Sequence, residues 1–368
     1  MKKKMSKNME WAVLVCSVIL VIIGLIALFS ATMDSGYDEF KRQLIWFLIS
    51  VPIVVTVVIV DYGLIAKISP ILYGVIIALL IGVLFTSPIN GATSWFNLGF
   101  FSFQPAELAK VFTIIFLSYI IVKLQRSGKD EISKVWKLAL SLIIVAIPVL
   151  LIAKQPDYGT AIPFVVATVL ILFVAGIKAR YIISAILIAV ITVPLLYIYI
   201  LPPHAKNRID VFLNPDIDPR GKGYNVIQSK LAVGSGMFLG MGITKGNQTQ
   251  LGYLYPKTTD FIFAVISEEM GFVVSGSIIL LYVFLVMKSI SISKTAKDTL
   301  GAYIAIGIAG MFLFHMIQNI GMTMGLLPIT GVPLPFVSYG GSSLITNFIA
   351  IGLLLNISGR RQKAIFVN

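Results

Sequence analysis

The sequence is poor in charged residues, cysteine and histidine. Charged residues account for 12% of the 368 residues, whereas soluble proteins contain roughly a quarter. This leaves little polar surface to face water and excludes a soluble two-domain protein. Cys16, the only cysteine, excludes an intramolecular disulfide and a cysteine-based metal site. The two histidines, His204 and His315, are far apart, match no metal-binding motif, and are interpreted as residues without a catalytic or ligand role.

Long apolar runs make up most of the chain. Apolar residues account for 58% of the sequence and recur in runs of about 20, long enough to cross a bilayer. Such runs are expected to be helices, since lipid offers the backbone no hydrogen-bond partners, and the alternation of a β-barrel is not visible. The sequence predicts an all-α polytopic membrane protein, a single domain over 1–368 with about ten transmembrane helices. The predicted spans are 11–32, 43–60, 64–86, 106–123, 136–153, 160–176, 181–200, 259–288, 300–321 and 341–357.

The basic residues are distributed as in a membrane protein. The net charge of +13 is compatible with nucleic-acid binding, but Lys and Arg concentrate near both termini and in alternate short connections between spans. This distribution sets the orientation of membrane proteins, so we predict no nucleic-acid binding and both termini in the cytoplasm. The first apolar run has about 20 residues and no clear cleavage site, and is predicted to be a retained helix.

Two segments on the predicted outer side are more than simple connections. The segment 201–258, between the seventh and eighth spans, is a large extracytoplasmic loop, and loops of this length are usually functional. Its glycine-rich part, 234–246, lacks the spacing of a phosphate-binding loop and is interpreted as close backbone packing or a flexible loop. The segment 322–340 contains three prolines and no charged residue. It predicts irregular backbone that packs within the protein or lines a cavity.

Ionisable residues at membrane depth are candidate functional residues. In FQPAELAK, residues 103–110, Pro105 suits a first helical turn. Glu107 and Lys110 then lie on one helix face, where they can form an ion pair. The pair is either structural or contributes directly to binding an anionic group.

Two further candidates lie at the ends of predicted spans. Asp157 in KQPDYGTA either caps the sixth span or belongs to a functional site. Arg208 and Asp210 lie in the long loop, where an arginine is either solvated or binds a phosphate in bidentate fashion.

The segment 255–271 places a carboxylate where the chain re-enters the membrane. Asp260 is either the N-cap of the eighth span or a functional group beneath a loop that carries arginine and lysine. Its pKa can move in either direction, since burial raises it and nearby cations lower it. Glu268 and Glu269, about two turns deeper, are predicted to pair with polar groups of other helices.

The motifs resemble those of the SEDS family (shape, elongation, division and sporulation proteins), and FLNP with YNVIQS is most similar to its RodA branch. The match covers about 91–357. In family order, the motifs are GATSWFNLG, FQPAELAK, QPDYGTA, RIDVFLNP with GKGYNVIQS, TTDFIFAVISEE, and GVPLPFVSYGGSSLITNFIAIGLLLNI.

The resemblance implies a peptidoglycan glycosyltransferase of the cytoplasmic membrane that polymerises lipid II on its outer side during cell elongation. It also implies a class B penicillin-binding protein as partner, which makes the crosslinks. The essential aspartate of the TDFIFA motif corresponds to Asp260, which is expected to be the general base. The family's other motif residues correspond to Glu107, Lys110, Asp157 and Arg208. The chain departs from the family at Lys257-Thr258, where many members have Glu-His.

The implied chemistry requires a base and cations. The acceptor hydroxyl needs a positioned base, and charge growing on the departing polyprenyl pyrophosphate needs cations. Candidates for the cation are Arg208, Lys110, Lys257 or a divalent metal, Mg²⁺ or Mn²⁺, held by carboxylates. A lipid II flippase and a non-catalytic scaffold of the cell-wall synthesis complex remain as alternatives.

Overall fold

The computed structural model describes residues 8–361, except 89–91, 98, 100–101, 126–131, 133, 200–202 and 219–220. The basic N-terminal residues, the basic connection at 126–131 and the side chain of His204 lie outside the described residues.

The described chain is almost entirely helical. A two-residue antiparallel pair, β1 (Phe96–Asn97) with β2 (Ser102–Phe103), is the only sheet in the described ranges. In chain order the helices are α1 (Trp11–Ala31), α2 (Asp38–Ile59), α3 (Tyr62–Gly82), α4 (Pro105–Leu124), α5 (Val135–Lys154), α6 (Tyr158–Val174), α7 (Ala179–Tyr199), α8 (Pro203–Leu213), α9 (Lys222–Ser235), α10 (Asn247–Gln250), α11 (Ile262–Thr295), α12 (Thr299–Thr323) and α13 (Gly341–Gly359).

The helices match the predicted spans. Nine helices in the described part of the chain are long and apolar enough to cross a membrane. The remaining predicted span, the sixth at 160–176, is the shorter apolar helix α6. The largest boundary differences are at α2, which begins at Asp38 rather than 43, and at α11, which continues to Thr295 rather than 288. The predicted polytopic all-α fold is confirmed.

The helices are apolar on the outside as well as in the core. Large side chains remain exposed along the bundle, for example Ile71 at 70%, Leu150 at 63% and Val190 at 66%. Exposed apolar surface of this extent marks contact with lipid rather than water. The most buried helices are α4, α12 and α13, with α6 and α11 packed against α12, and α2 against α13.

Polar contacts at the two ends of α1 mark the two faces of the bundle. At one face Glu10 forms ion pairs with Lys288, at 3.5 Å, and with Arg361, at 2.7 Å. At the other face the Ser30 hydroxyl donates to Glu269 Oε1 at 2.7 Å. The stretch from Glu10 to Ser30 corresponds to about 30 Å of helix, which is the thickness of a hydrocarbon core. We call the Ser30 face the outer face.

Helix α11 is broken at the outer face, and the glycine-rich segment completes it. Gly271 has φ 74° and ψ −172°, which no helix residue adopts. In place of helical bonds, Phe272 and Val273 N–H donate to the carbonyls of Met237 and Phe238. In return, the N–H groups of 241 and 242 donate to the carbonyls of 268 and 269. The segment 234–246 is therefore close backbone packing, one of the two interpretations of the sequence.

The outer segments are largely ordered by secondary structure and burial. The loop 201–258 contains α8, α9 and α10. The segment 324–340 is irregular, but Val332, Leu334 and Val337 are at most 1% exposed. The predicted irregular backbone therefore packs within the protein. It lies beneath the residues that precede α11, since Tyr339 N–H donates to Thr258 O and the Ser338 hydroxyl donates to Thr259 O.

Candidate functional site

Asp260 lies in the turn just before α11 and is not its cap. The N-cap is Phe261, and no side chain caps the helix, so the N-cap interpretation of Asp260 is wrong. The backbone is fixed instead by Asn319 of α12, whose amide donates to Asp260 O at 3.0 Å. A Cβ at Gly331 would lie 3.5 Å from Asp260 Oδ2. The carboxylate therefore faces the irregular segment 324–340.

The surroundings of Asp260 favour its protonated form. Burial raises the pKa of Asp260 to about 6, the Thr259 hydroxyl and Arg208 oppose this rise, and the Asp157 carboxylate adds to it. The residue as a whole is half-buried. A carboxylate with a raised pKa is a stronger proton acceptor than a free aspartate, which suits proton transfer.

Arg208 lies on α8 rather than in an unstructured loop. Its Nη1 donates to Thr330 O at 3.1 Å, which holds the guanidinium against the segment 324–340. Its Nε is buried and has no partner among the described residues. Asp210, two positions further along, accepts from the Tyr197 hydroxyl, so the sequence neighbours Arg208 and Asp210 have different partners.

Asp157 caps α6, and its carboxylate also acts electrostatically on Asp260. Its Oδ1 accepts from the Thr160 hydroxyl at 2.8 Å and from Thr160 N–H at 3.4 Å. Its Oδ2 accepts from Gln104 Nε2 at 2.9 Å. Burial raises the pKa of Asp157, against the Thr160 bonds, and Glu107 also raises it while Lys110 lowers it. The two interpretations of Asp157 are therefore compatible.

Glu107 and Lys110 form a buried ion pair on α4. Lys110 Nζ lies 2.8 Å from Glu107 Oε1 and 3.0 Å from Nε2 of His315 on α12. Glu107, Lys110 and His315 are each 2% exposed. Both predicted roles of the Glu107–Lys110 pair remain open, and direct substrate contact by Lys110 stays a prediction.

Three residues of α12 fasten the segment 324–340 to the site. His315 Nδ1 lies 3.0 Å from Pro333 O, Gln318 donates to Pro328 O at 2.9 Å, and Asn319 donates to Val332 O at 2.8 Å. Two polar atoms in this region, Asn319 Oδ1 and Thr330 Oγ1, are buried without a partner in the described part. Arg208 Nε is likewise buried without a partner among the described residues, and buried unpaired polar groups are uncommon in native proteins.

Glu268, Glu269 and Lys257 hold the end of the long loop. Glu268 accepts from the N–H groups of Gln248 and Thr249 and from the Thr249 hydroxyl. Glu269 accepts from Ser30 of α1 and from the Gln250 side chain. Lys257 Nζ donates to Thr249 O at 3.1 Å and lies 3.7 Å from Asp34 Oδ2. The partners of the two glutamates thus come from the loop as well as from another helix. A substrate contact by Lys257 stays a prediction.

No preformed metal cluster is present in the part of the chain that the structure describes, since no three His, Cys, Asp or Glu side chains lie close enough together. Both oxygens of Asp157 already accept hydrogen bonds. Among the described residues, Glu107 and Glu269 each have one carboxylate oxygen without a partner, but each is held by its other oxygen.

Sequence reasoning missed the polar residues of α12. His315 was interpreted as a residue without a role, although a histidine at membrane depth is a functional candidate by default. Asn319 follows it by four positions and therefore lies on the same helix face. The spacing of four between His315 and Asn319 is therefore the sequence feature that indicates a polar face on α12.

The chain resembles known proteins over almost its full length. The FtsW/RodA/SpoVE family model, described as cell cycle protein, matches residues 10–363. The peptidoglycan glycosyltransferase MrdB of Escherichia coli is 36% identical over 80% of this chain and 78% of its own length.

Solved structures agree with this match. A chain from a structure entitled "Structural coordination of polymerization and crosslinking by a peptidoglycan synthase complex" has a TM-score of 0.81 and 29% identity, covering 95% of this chain and 97% of its own. The rod shape determining protein RodA of Thermus thermophilus has a TM-score of 0.72 and 26% identity, covering 96% and 98%. The chain therefore belongs to the FtsW/RodA/SpoVE family, the SEDS proteins.

Proposed function

We propose that the protein is a peptidoglycan glycosyltransferase that polymerises lipid II into glycan strands, with Asp260 as the general base. The enzyme class follows from the family, whose curated relatives include peptidoglycan glycosyltransferases. The observation that carries the role of Asp260 is its placement: a half-buried carboxylate with a pKa of about 6, facing Arg208 at the outer end of the helices. The cell-elongation role and the outer face of the cytoplasmic membrane as location are part of the same proposal.

The chemical step needs one proton acceptor and one stabilised leaving group. The carboxylate of Asp260 takes the proton of the acceptor sugar hydroxyl as that oxygen bonds to the anomeric carbon of the donor. The bond between this carbon and the pyrophosphate oxygen breaks, and the pyrophosphate departs with the electron pair. A direct displacement of this kind inverts the anomeric carbon. The departing group is already a good one, so no general acid is required beside the base.

Arg208 is the proposed binding group for the pyrophosphate. Its Nη1 is anchored on Thr330 O, while its Nε is buried without a protein partner. A guanidinium held in one orientation can donate to a phosphate in bidentate fashion. Because it is anchored before the reaction, little reorganisation is needed as charge develops on the leaving oxygens.

A divalent metal fits only as an ion shared with the substrate. Mg²⁺ is commonly held by one or two carboxylates together with substrate phosphates and waters. In this site Asp260 would supply the protein ligand and the pyrophosphate the others. Such an ion would neutralise charge on the leaving group, and the requirement for Mg²⁺ or Mn²⁺ stays a prediction.

A class B penicillin-binding protein is the proposed partner. The structure with the higher TM-score comes from a peptidoglycan synthase complex whose title joins polymerisation and crosslinking. A transpeptidase beside the polymerase would receive the glycan strand as it forms. Such a partner acts outside the cytoplasm, which agrees with the predicted orientation that places both termini inside.

The distribution of buried carboxylates favours a transferase over a flippase. Glu107, Glu268 and Glu269 lie near the outer ends of their helices, and they are the buried carboxylates of the described chain. A transport path needs polar groups at mid-membrane and at the inner face as well.

The test is polymerisation of lipid II by the purified protein with its partner. The wild type should produce glycan polymer, and Asp260→Asn should produce none while its expression and partner binding are retained. Asp216→Asn, which removes an exposed carboxylate from the same outer segment, is the matched control and should polymerise normally. Polymer from Asp260→Asn at the wild-type rate contradicts the assignment of the base, and no polymer from the wild type contradicts the function.

A further inference from the structure

His315 has both ring nitrogens engaged in the membrane interior. Nε2 lies 3.0 Å from Lys110 Nζ, and Nδ1 lies 3.0 Å from Pro333 O. The lysine belongs to α4 and the carbonyl to the irregular segment 324–340. The ring therefore joins two parts of the protein that have no covalent connection nearby.

The partners of the ring fix its protonation. A lysine ammonium has only donors, so Nε2 must accept from Lys110. A carbonyl has only acceptors, so Nδ1 must carry the proton and donate to Pro333 O. His315 is therefore a neutral imidazole with its proton on Nδ1. Its Phe314 neighbour contacts the ring edge and offers no competing polar group.

The ammonium of Lys110 is held by two acceptors. Glu107 Oε1 neutralises its charge at 2.8 Å, and His315 Nε2 supplies a second, uncharged acceptor at 3.0 Å. One acceptor leaves a flexible lysine chain free to swing, whereas two acceptors in different directions fix Nζ in place. The fixed position affects the site, because Lys110 lowers the pKa of Asp157 while Glu107 raises it.

We propose that His315 is a positioning residue of the glycosyltransferase site: it fixes the Lys110 ammonium against Glu107 and ties it to the segment 324–340, which faces Asp260. This inference rests on the proposed function. His315 touches neither substrate nor Asp260, and acts through Lys110. The competing explanation is purely structural, in which the ring serves only to satisfy the Pro333 carbonyl.

Two isosteric substitutions separate these explanations. The amide nitrogen of asparagine occupies roughly the position of Nδ1, so His315→Asn keeps the bond to Pro333 O and loses the acceptor for Lys110. The amide oxygen of glutamine reaches roughly the position of Nε2, so His315→Gln keeps the acceptor for Lys110 and loses the donor to Pro333. Each variant thus removes one contact of the ring and retains the other.

The measurement is lipid II polymerisation by the purified protein with its partner, with kcat and KM determined separately. His315→Gln should retain most of the wild-type kcat. His315→Asn should lower kcat by roughly ten- to hundredfold, the range expected for one hydrogen bond to a charged group, with little change in KM. Normal activity of His315→Asn overturns the proposal, as does a kcat for His315→Gln as low as that of His315→Asn.

A double-mutant cycle shows whether the effect passes through Lys110. In a Lys110→Met background, His315→Asn should cause almost no further loss of kcat, and a full additive loss overturns the proposal. The same double-mutant cycle can be measured on the unfolding temperature of the four proteins in detergent. This reports the Lys110–His315 contact without requiring enzyme activity. There, strict additivity overturns the proposal even if the wild type makes no polymer. Absence of wild-type polymer contradicts only the proposed function, so the two failures are distinguishable.

Discussion

Replacing Asp260 with asparagine should abolish polymerisation and, at neutral pH, make the protein more stable. The two side chains have nearly the same shape, but the amide cannot accept the proton of the acceptor hydroxyl. The amide also carries no charge, whereas the carboxylate must ionise in surroundings that disfavour its charge, as its raised pKa shows. Loss of activity with a gain of stability is the usual result when a functional site stores an unfavourable interaction.

The size of the stability gain follows from the pKa. The pKa of Asp260 rises from 3.8 to about 6 on folding, and each unit corresponds to 1.36 kcal/mol. The difference of about 2.2 units therefore gives up to about 3 kcal/mol. This is an upper bound, because the residue is only half-buried.

The direction of the pKa shift determines the pH range over which the stability of the protein changes. Because the folded pKa lies above the unfolded value, the unfolded chain releases the proton first as pH rises. The wild type therefore loses stability between about pH 4 and pH 6, and the loss is complete above that range. Asp260→Asn has no such loss. Its gain in stability over the wild type should therefore be complete at pH 7.5 and smaller at pH 5.

The assay is the unfolding temperature of the purified proteins in one detergent at pH 5, 6 and 7.5. Asp260→Asn should unfold a few degrees above the wild type at pH 7.5. This difference in unfolding temperature should be smaller at pH 5. Asp216→Asn, at an exposed position, should show no gap at any pH. A lower unfolding temperature for Asp260→Asn at pH 7.5, or a gap that does not change with pH, refutes the reasoning. Either result would mean that the fold stabilises the ionised carboxylate.

Further predictions concern the charges around Asp260 and the broken helix. Arg208→Gln removes a cation that lowers the pKa of Asp260. It should shift the acid limb of the kcat/KM profile to higher pH and lower the plateau of kcat/KM roughly ten- to hundredfold. Asp157→Asn should shift the acid limb to lower pH, because it removes a carboxylate that raises the pKa of Asp260. An unmoved limb in both pH profiles contradicts the assigned electrostatics. Gly271→Ala should lower the unfolding temperature, at a loss of at least about 1 kcal/mol, since its Cβ would lie 2.3 Å from Gly240 N. Gly276→Ala, in open space on the same helix, should be neutral or slightly stabilising, and equal effects of the two substitutions contradict the account of the break.

The sequence predicted the positions of the membrane helices closely, because the cause is local. Each span is an unbroken apolar run that must satisfy its own backbone hydrogen bonds in lipid. The extension of α11 to Thr295 was missed, since its polar last turns continue the helix beyond the apolar run. Helices α8 and α9 in the long loop were missed because their mixed composition gives no clear apolar pattern.

The partners of polar groups were less predictable. Glu268 and Glu269 were correctly expected to pair with polar groups of other helices, but the sequence did not indicate that most of these partners lie on the short helix α10 of the long loop. The break at Gly271 carries no local signal, because a lone glycine is tolerated in a helix. The bonds that replace the helical ones come from residues more than 25 positions away in the sequence.

The sequence by itself determined that this protein is a bundle of apolar helices with a carboxylate, Asp260, where the chain re-enters the membrane. Local hydrophobicity and a recognisable motif suffice for that. Only the tertiary structure decided that Asp260 is not a helix cap, that Arg208 is anchored beside it, and that His315 holds Lys110. Those relations depend on distances between α4, α8, α11 and α12, and a one-dimensional pattern does not contain them.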